Sequence, residues 1–323
     1  MREHVGGGQV LPAGSQAGAL SRDAAVARVV TRLSIEYVLR IFQLLIDMYG
    51  DVRAGLLAHA VNLANLSYAD TSSDAIRQAV GPEGVFPDEM RRPVSISRLA
   101  ESAGLPFESV RRAVQQLIGA GICQRVPGGV IVPRAVIERP RNLRAVVANV
   151  GYMRKFMRDV QATGLIDHVP ASLAIAAGAD GTAIARLVAR VSSEYVQLTL
   201  QLLVETFGDA RAGVVAQTII AANTAYLDTR GGEGWRYAGI DTPPPDAARR
   251  PISVSRVAAS LGLPYETVRR HVERLIHANV CARVRGGVIV PGAVLNSPAA
   301  RRATLANVGY VRALARDLDA AAA

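Results

Sequence analysis

The sequence predicts a mainly helical protein built from two tandem copies of one unit. Three observations predict it. The chain aligns with itself, without a gap, at a shift of 158 positions; apolar residues recur at helical spacing through most of each copy; and one pair of short β-rich runs falls at the same place in both. RLSIEYV at Arg32–Val38 meets RVSSEYV at Arg190–Val196, and GDVRAG at Gly50–Gly55 meets GDARAG at Gly208–Gly213. RRPVSISRLAESAGLPFESVRRAV at Arg91–Val114 meets RRPISVSRVAASLGLPYETVRRHV at Arg249–Val272, and GGVIVP and ANVGY each occur twice. About half of the paired positions are identical. A copy of roughly 140 residues is long enough to bury its own core. The expected layout is a flexible N-terminal arm over 1–22, a first copy over 23–162, an Ala- and Gly-rich linker over 163–183 and a second copy over 184–323.

Within a copy the elements follow in order. Val26–Tyr49 has apolar residues at helical spacing and predicts one long helix; Gly50-Asp51 breaks it, and Val52–Tyr68 predicts a second. The long apolar faces of Val26–Tyr49 and Ile184–Phe207 are expected to pack the copies together or to drive dimerisation. Asp70–Met90 and Asp228–Ala248 are turn-rich and read as loops with a short helix at most. Ser95–Ala103 predicts a serine-capped helix, Gly104-Leu105-Pro106 a tight turn, and Phe107–Ala120 a further helix. A hairpin across Pro127-Gly128-Gly129 follows, and Arg141–Val160 closes the copy as a terminal helix. The second copy repeats this pattern: a capped helix from Ser253, a turn at Gly262-Leu263-Pro264, a helix over Tyr265–Ala278, a hairpin across Arg285-Gly286-Gly287, and a terminal helix over Ala299–Leu318.

Two helices joined by a tight turn and followed by a hairpin are the parts of a winged helix-turn-helix, over 91–138 and 249–296. The string S-x-S-R-x-A-x-x-x-G-L-P-x-E-[ST]-V-R-R before a Gly-Gly hairpin resembles bacterial winged-helix transcription regulators of the GntR, IclR and MarR type. The resemblance covers about 45 residues per copy, about 90 of 323, and the flanking helices match none of those families' effector domains. The predicted fold class is therefore mainly α, in two tandem repeats, each a helical support plus a winged helix-turn-helix with a short β-hairpin wing. The resemblance implies that the second helix of each pair enters the major groove. Phe107, Ser109 and Arg111 would then read bases in one copy, and Tyr265, Thr267 and Arg269 in the other. Arg111 and Arg269 suit guanine, whose O6 and N7 match a planar guanidinium. Arg98, Arg112 and Arg125, with Arg256, Arg270 and Arg283, would hold phosphates. The arginine pairs stand without an obvious acidic partner in the sequence. The copies differ at Ser109/Thr267, Ala113/His271 and Gln116/Arg274, which implies two related but unequal half-sites.

Charge agrees with an anionic partner. Lys plus Arg is 37 against 27 for Asp plus Glu, a formal net charge of +10, and Lys155 is the single lysine. The longest apolar stretch, Val38–Tyr49, is broken by Arg40 and Asp47 and falls far short of the roughly 20 residues of a membrane span. The N-terminus has no apolar signal core, and two cysteines build neither a disulfide framework nor a multi-cysteine metal site. The five histidines lack metal-ligand spacing, and phosphate-loop, dinucleotide, zinc-protease and nucleophile-elbow motifs are all missing, so no cofactor and no enzyme activity are expected. The expected protein is cytoplasmic and nucleoid-associated, without membrane contact. Its expected partner is double-stranded DNA; a small-molecule effector, a second copy in a homodimer and RNA polymerase are further partners that this reading admits. A replication or partition initiator and a tandem winged-helix interaction scaffold are the rival readings.

Other repeated residues carry two readings each. Asn65, Tyr68, Asn223 and Tyr226, with Asp70, Thr71, Asp228 and Thr229, suit helix-end capping and turns; the sharper reading is an effector pocket lined by the Asn and Tyr pairs. Arg32/Glu36 and Arg190/Glu194 have ion-pair spacing. Tyr37 and Tyr195 read as core, and Cys123 and Cys281 as small buried residues. Gly151 and Gly309, costly within a helix, read as sites of close helix packing.

Overall fold

In the computed structural model, residues 13–50, 52–67, 84–103, 106–178, 181–227 and 232–322 are described. Helix α1 (Ala13–Tyr49) turns into α2 (Val52–Leu66), and a 3-10 turn (Asp88–Met90) leads to α3 (Ile96–Ala103) and α4 (Phe107–Gly119). Strands β1 (Gln124–Val126) and β2 (Gly129–Ile131), the one-turn helix α5 (Arg134–Ile137) and the long α6 (Pro140–Ala162) follow. After α7 (Ser172–Ile175) come α8 (Thr182–Phe207), α9 (Ala210–Thr224), 3-10 turns at Gly232–Tyr237 and Asp246–Ala248, α10 (Val254–Leu261) and α11 (Tyr265–His277). The antiparallel β3 (Ala282–Val284) and β4 (Gly287–Ile289) lead to α12 (Gly292–Leu295) and α13 (Pro298–Ala320). The protein is thus mainly helical with two small antiparallel hairpins. None of the described helices is long and apolar enough to cross a membrane.

Four long helices form the centre. Within each copy of the sequence repeat α1 packs on α6 and α8 on α13; across the copies α1 packs on α13 and α6 on α8. Likewise α1 meets α9 and α8 meets α2. The exchange is reciprocal, the arrangement of a self-complementary two-fold contact. Val30, Val38, Phe42, Met153, Met157, Val188, Val196 and Leu318 lie in one shared apolar core. Burying each such side chain of Val or Phe size contributes about 1.5–3 kcal/mol.

Tyr37 and Tyr195 meet at the middle of this seam with ring centroids 6.3 Å apart, and Tyr37 stacks on Phe156 at 5.0 Å. Both are core residues, as expected. Tyr37 Oη donates to Asn149 Oδ1 (2.8 Å) and lies 2.5 Å from Ser192 Oγ, while Tyr195 Oη donates to Asn307 Oδ1 (3.0 Å) and Asn307 Nδ2 donates to Ser34 Oγ (2.9 Å). Each copy's Tyr–Asn pair is thereby completed by a serine of the other, so the buried polar groups are matched only in one register.

Several expectations change. Residues 13–22, read as flexible arm, are the first turns of α1; the rest of the arm lies outside the described residues. The 163–183 segment is not a loose tether: Leu165, Leu173 and Ala176 are buried in the shared core. Of the two expected ion pairs, Arg190–Glu194 forms at 3.5 Å, but Arg32 crosses the seam to donate to the Gly234 (3.0 Å) and Tyr237 (2.9 Å) carbonyls. Glu36 pairs instead with Arg40 (3.2 Å) and Lys155 (3.4 Å).

The glycine reading is overturned. A Cβ at Gly151 or Gly309 would meet nothing within 4 Å, whereas one at Gly55 or Gly213 would lie 2.7 Å from Leu45 Cβ or Leu203 Cβ. Close helix packing therefore sits at the α1–α2 and α8–α9 corners. Gly151→Ala and Gly309→Ala should each stabilise the protein by about 0.5–1 kcal/mol in chemical denaturation, while Gly55→Ala should destabilise it by about 1–3 kcal/mol.

Candidate nucleic-acid interface

The end of α2 holds the segment that leads into α3. Asn65 Nδ2 donates to the carbonyls of Arg92 (2.8 Å) and Val130 (3.1 Å), and the Val132 N–H donates to Asn65 Oδ1 (3.0 Å). Asn223 does the same for Arg250, Val288 and Val290. Both asparagines are fully buried, so they clamp the hairpin to the bundle and do not line a pocket. Of the remaining pocket candidates, Tyr226 carries the Arg250 guanidinium over its ring at 4.9 Å, and Tyr68 lies outside the described residues, as do Asp70, Thr71, Asp228 and Thr229.

Each hairpin is extended by a third short segment that the sequence reading missed. Val94 exchanges backbone hydrogen bonds with Val130 (3.1 and 3.0 Å), and Ile252 does so with Val288 (3.2 and 2.9 Å). The approach is so close that a Cβ on Gly129 or Gly287 would lie 2.3 Å from the facing carbonyl oxygen, at φ of +154° and +150°. Only glycine fits there. The signal was the doubled Arg-Pro-[Val/Ile]-Ser segment before each first helix.

From this base the helix pairs project. Ser95 and Ser253 cap α3 and α10, accepting from the Arg98 and Arg256 N–H groups at 3.2 and 3.3 Å. Gly262, at φ +60°, ends α10, and the Leu263 N–H reaches back to the Ala258 carbonyl (3.1 Å). The equivalent turn residues Gly104 and Leu105 lie outside the described residues. Val110, Val114 and Leu117 of α4, like Val268, Val272 and Leu275 of α11, are buried, which fixes the opposite face outward.

Eight of the twelve candidate residues lie on α4 and α11, Arg98 and Arg256 on α3 and α10, and Arg125 and Arg283 on β1 and β3. Arg98, Phe107, Arg112, Arg125, Arg256, Tyr265, Arg270 and Arg283 are exposed, and Ser109, Arg111, Thr267 and Arg269 are half-buried. Phe107 and Tyr265 leave 49 % and 47 % of their surface in solvent at the first turn of each helix, an exposure without benefit to the isolated fold.

Two expectations about this face need correction. Arg111 does have an acidic partner: its guanidinium donates to Glu108 one turn away (2.5–3.1 Å), and Arg269 donates to Glu266 (3.0 Å). The Arg111 hydrogen bond holds the Glu108 carboxyl below the usual carboxylate range. Both pairs are open to water, which screens them, so a base or phosphate can displace the carboxylate. Arg283 is likewise paired, with Glu273, where the first copy has Gln115. Second, Ala113 and His271 do not face outward; both are buried. His271 lies 3.8 Å from Asp209 and bonds Arg274 at 2.8 Å, and burial lowers its pKa. Of the three differing pairs singled out in the sequence, Ser109/Thr267 and Gln116/Arg274 lie at the surface.

The buried thiols of Cys123 and Cys281 are pushed up to about 12 by desolvation, as small core residues require. Among the described residues no cluster of three His, Cys, Asp or Glu side chains is placed to hold a metal ion. Compared with known proteins, the chain matches no family model, no curated protein and no solved structure.

In the seam the copies also differ at His59, whose counterpart is Gln217. Desolvation lowers the His59 pKa from 6.5 to about 4, so the folded chain refuses a proton that the unfolded chain accepts. Stability is therefore complete above pH 6.5 and falls as the pH drops toward 4. Denaturation midpoints measured across this window should fall less steeply for His59→Gln than for the wild type.

Proposed function

We propose that this chain is a sequence-specific, double-stranded-DNA-binding transcriptional regulator. In this reading each copy is a winged helix-turn-helix on a helical support, and the seam holds the two as a covalent pseudo-dimer that reads two related but unequal half-sites. One observation carries it. The first turns of α4 and α11 present the same aromatic–hydroxyl–arginine set to solvent, beside hairpins that carry the exposed Arg125 and Arg283. The net charge of +10 supports the same conclusion.

The bidentate geometry of a guanidinium assigns Arg111 and Arg269 to guanine, with Phe107 and Tyr265 placed against thymine methyl groups or sugars. Arg112 and Arg270, whose Nε atoms lean on the Glu108 and Glu266 carbonyls (3.4 and 3.3 Å), point further round the helix toward phosphates. A symmetric homodimer is tied to a palindrome, whereas two copies in one chain are free to diverge. Ser109/Thr267 and Gln116/Arg274 supply that divergence at the surface.

Selection from random duplex DNA with the full chain tests this reading. Two half-sites should be enriched, and Arg111→Ala and Arg269→Ala should each weaken binding roughly ten- to a hundredfold while relaxing one of them. Binding that falls steeply with salt yet enriches no sequence would replace the regulator with an architectural DNA coater. No binding at all would overturn it.

A further inference from the structure

The seam between the copies holds a half-open cavity of about 110 Å³, walled by α1 of the first copy and by α8, α9 and α13 of the second. Leu203 and Phe207 give it an apolar side. Arg28, Thr31, Arg32 and Gln217 give it a polar side, and that side is unfinished: Thr31 Oγ1, Arg32 Nε and Gln217 Oε1 are buried without a hydrogen-bond partner. Buried polar atoms are nearly always paired in folded proteins, so three orphans in one wall point to a ligand.

Charge narrows its chemistry. Arg28 donates to the Ile240 and Leu295 carbonyls and to Asn296 Oδ1, and Arg32 to the Gly234 and Tyr237 carbonyls. All of these acceptors are neutral, and among the described residues neither guanidinium has a carboxylate within ion-pair distance. The nearby Asp241 and Asp246 are taken by Arg301 (2.6 Å) and Arg249 (3.2 Å). Burial lowers both Arg28 and Arg32 to about 10. Water can satisfy a hydrogen bond here but brings no negative charge to the buried Arg28 or the half-buried Arg32. Phosphate or sulfate brings charge but is poorly suited to the Leu203–Phe207 side.

We propose that this cavity binds a small monocarboxylate with a short apolar body, its carboxylate on Arg32, Thr31 and Gln217 and its chain against Leu203 and Phe207. A void of about 150 Å³ holds benzene, so a body of a few carbons fits. Thr31 donates its hydroxyl, Arg32 its Nε–H, and Gln217 presents its amino group when its amide turns over about χ3. The related place in the other seam has Ala189 for Thr31 and His59 for Gln217, so the site occurs once per chain.

The consequence for regulation rests on the DNA-binding reading. Gln217 lies on α9, the helix whose Asn223 clamps the second hairpin and against which α11 packs. A ligand that fixes α9 therefore changes the affinity of the Tyr265–Arg269 face for DNA, and DNA changes the affinity for the ligand by the same factor.

Calorimetric titration of the full chain with butyrate and valerate, and with butyramide and valeramide as neutral controls, tests the site. The acids should saturate at one per chain and raise the melting temperature, and the amides should bind at least tenfold more weakly. Thr31→Val and Gln217→Leu remove unsatisfied buried groups, so both should fold with an unchanged or higher melting temperature while losing at least tenfold in acid affinity. Amides that bind as well as acids, acid affinity unchanged in both variants, or no saturable binding of either acid would each overturn the site. Loss of acid binding with sequence-selective DNA binding intact would leave the regulator standing; acid binding without DNA binding would leave only the site.

Discussion

Everything else in this molecule depends on the mutual burial of two leading helices, each too apolar for its own copy to cover. In α1 the buried set includes Val26, Val30, Leu33, Tyr37 and Ile41 but also Ala27, Val38, Phe42 and Leu45, which spans more than one helix face. A surface helix needs one apolar stripe; this breadth demands neighbours on two sides. The first is α6 of the same copy and the second is α13 of the other, with α8 related in the same way to α13 and α6. A single copy would leave much of this surface in water. Joining the copies in one chain makes the contact intramolecular, and the buried Tyr37, Ser192, Asn149, Ser34, Asn307 and Tyr195 groups select the one register in which every partner is found.

The sequence was legible wherever a local rule decided the outcome. Serine caps, the Gly262 turn, the Gly-Gly hairpins and the 3.6-residue periodicity each act over a few residues, and apart from the start of α1, which lies thirteen residues before the expected Val26, the corresponding elements fall within a few residues of their expected bounds. It was not legible where the deciding contact is distant. Nothing around Arg32 says that carbonyls some 200 positions away will outcompete Glu36, one turn off. Nor could Asn65 be assigned without knowing that it reaches both the strand before α3 and β2. Gly151 failed for a related reason: a glycine's cost is visible in sequence, but whether anything approaches its missing side chain is not. Glu108 is the exception, since its i, i+3 relation to Arg111 was readable and the outward pairing follows from helix geometry alone.

The two sequence copies carry their helices and hairpins in the same order but pack them differently. The first copy's helix pair and hairpin keep a separate small core, including Leu99, Val114 and Ile122; the second copy's equivalents, such as Val257, Val272 and Leu275, are continuous with the central bundle. The second copy's loop is also laced into α1. The Arg28 N–H donates to the Ala238 carbonyl at 2.8 Å, and the Ala24 carbonyl accepts from the Ile240 N–H at 2.7 Å. The Arg28 and Arg32 guanidinium groups donate to carbonyls of the same loop, at Ile240, Gly234 and Tyr237.

A duplicated chain can lose symmetry in two ways, and this one does both at separate places. On the outer faces the changes are polar, Ser109 to Thr267 and Gln116 to the charged Arg274, at positions that are exposed or half-buried. In the seam the changes, Ala189 against Thr31 and His59 against Gln217, exchange small or titratable groups for neutral hydrogen-bonding ones within an otherwise equivalent wall. The first kind leaves the shared core untouched; the second places unpaired polar atoms inside it, a cost that a random drift of sequence would tend to remove because each such atom weakens the fold. Thr31 Oγ1 and Gln217 Oε1 are buried here without a partner, where the larger and more polar space at the equivalent place has Ala189 and His59, and that difference singles out the cavity.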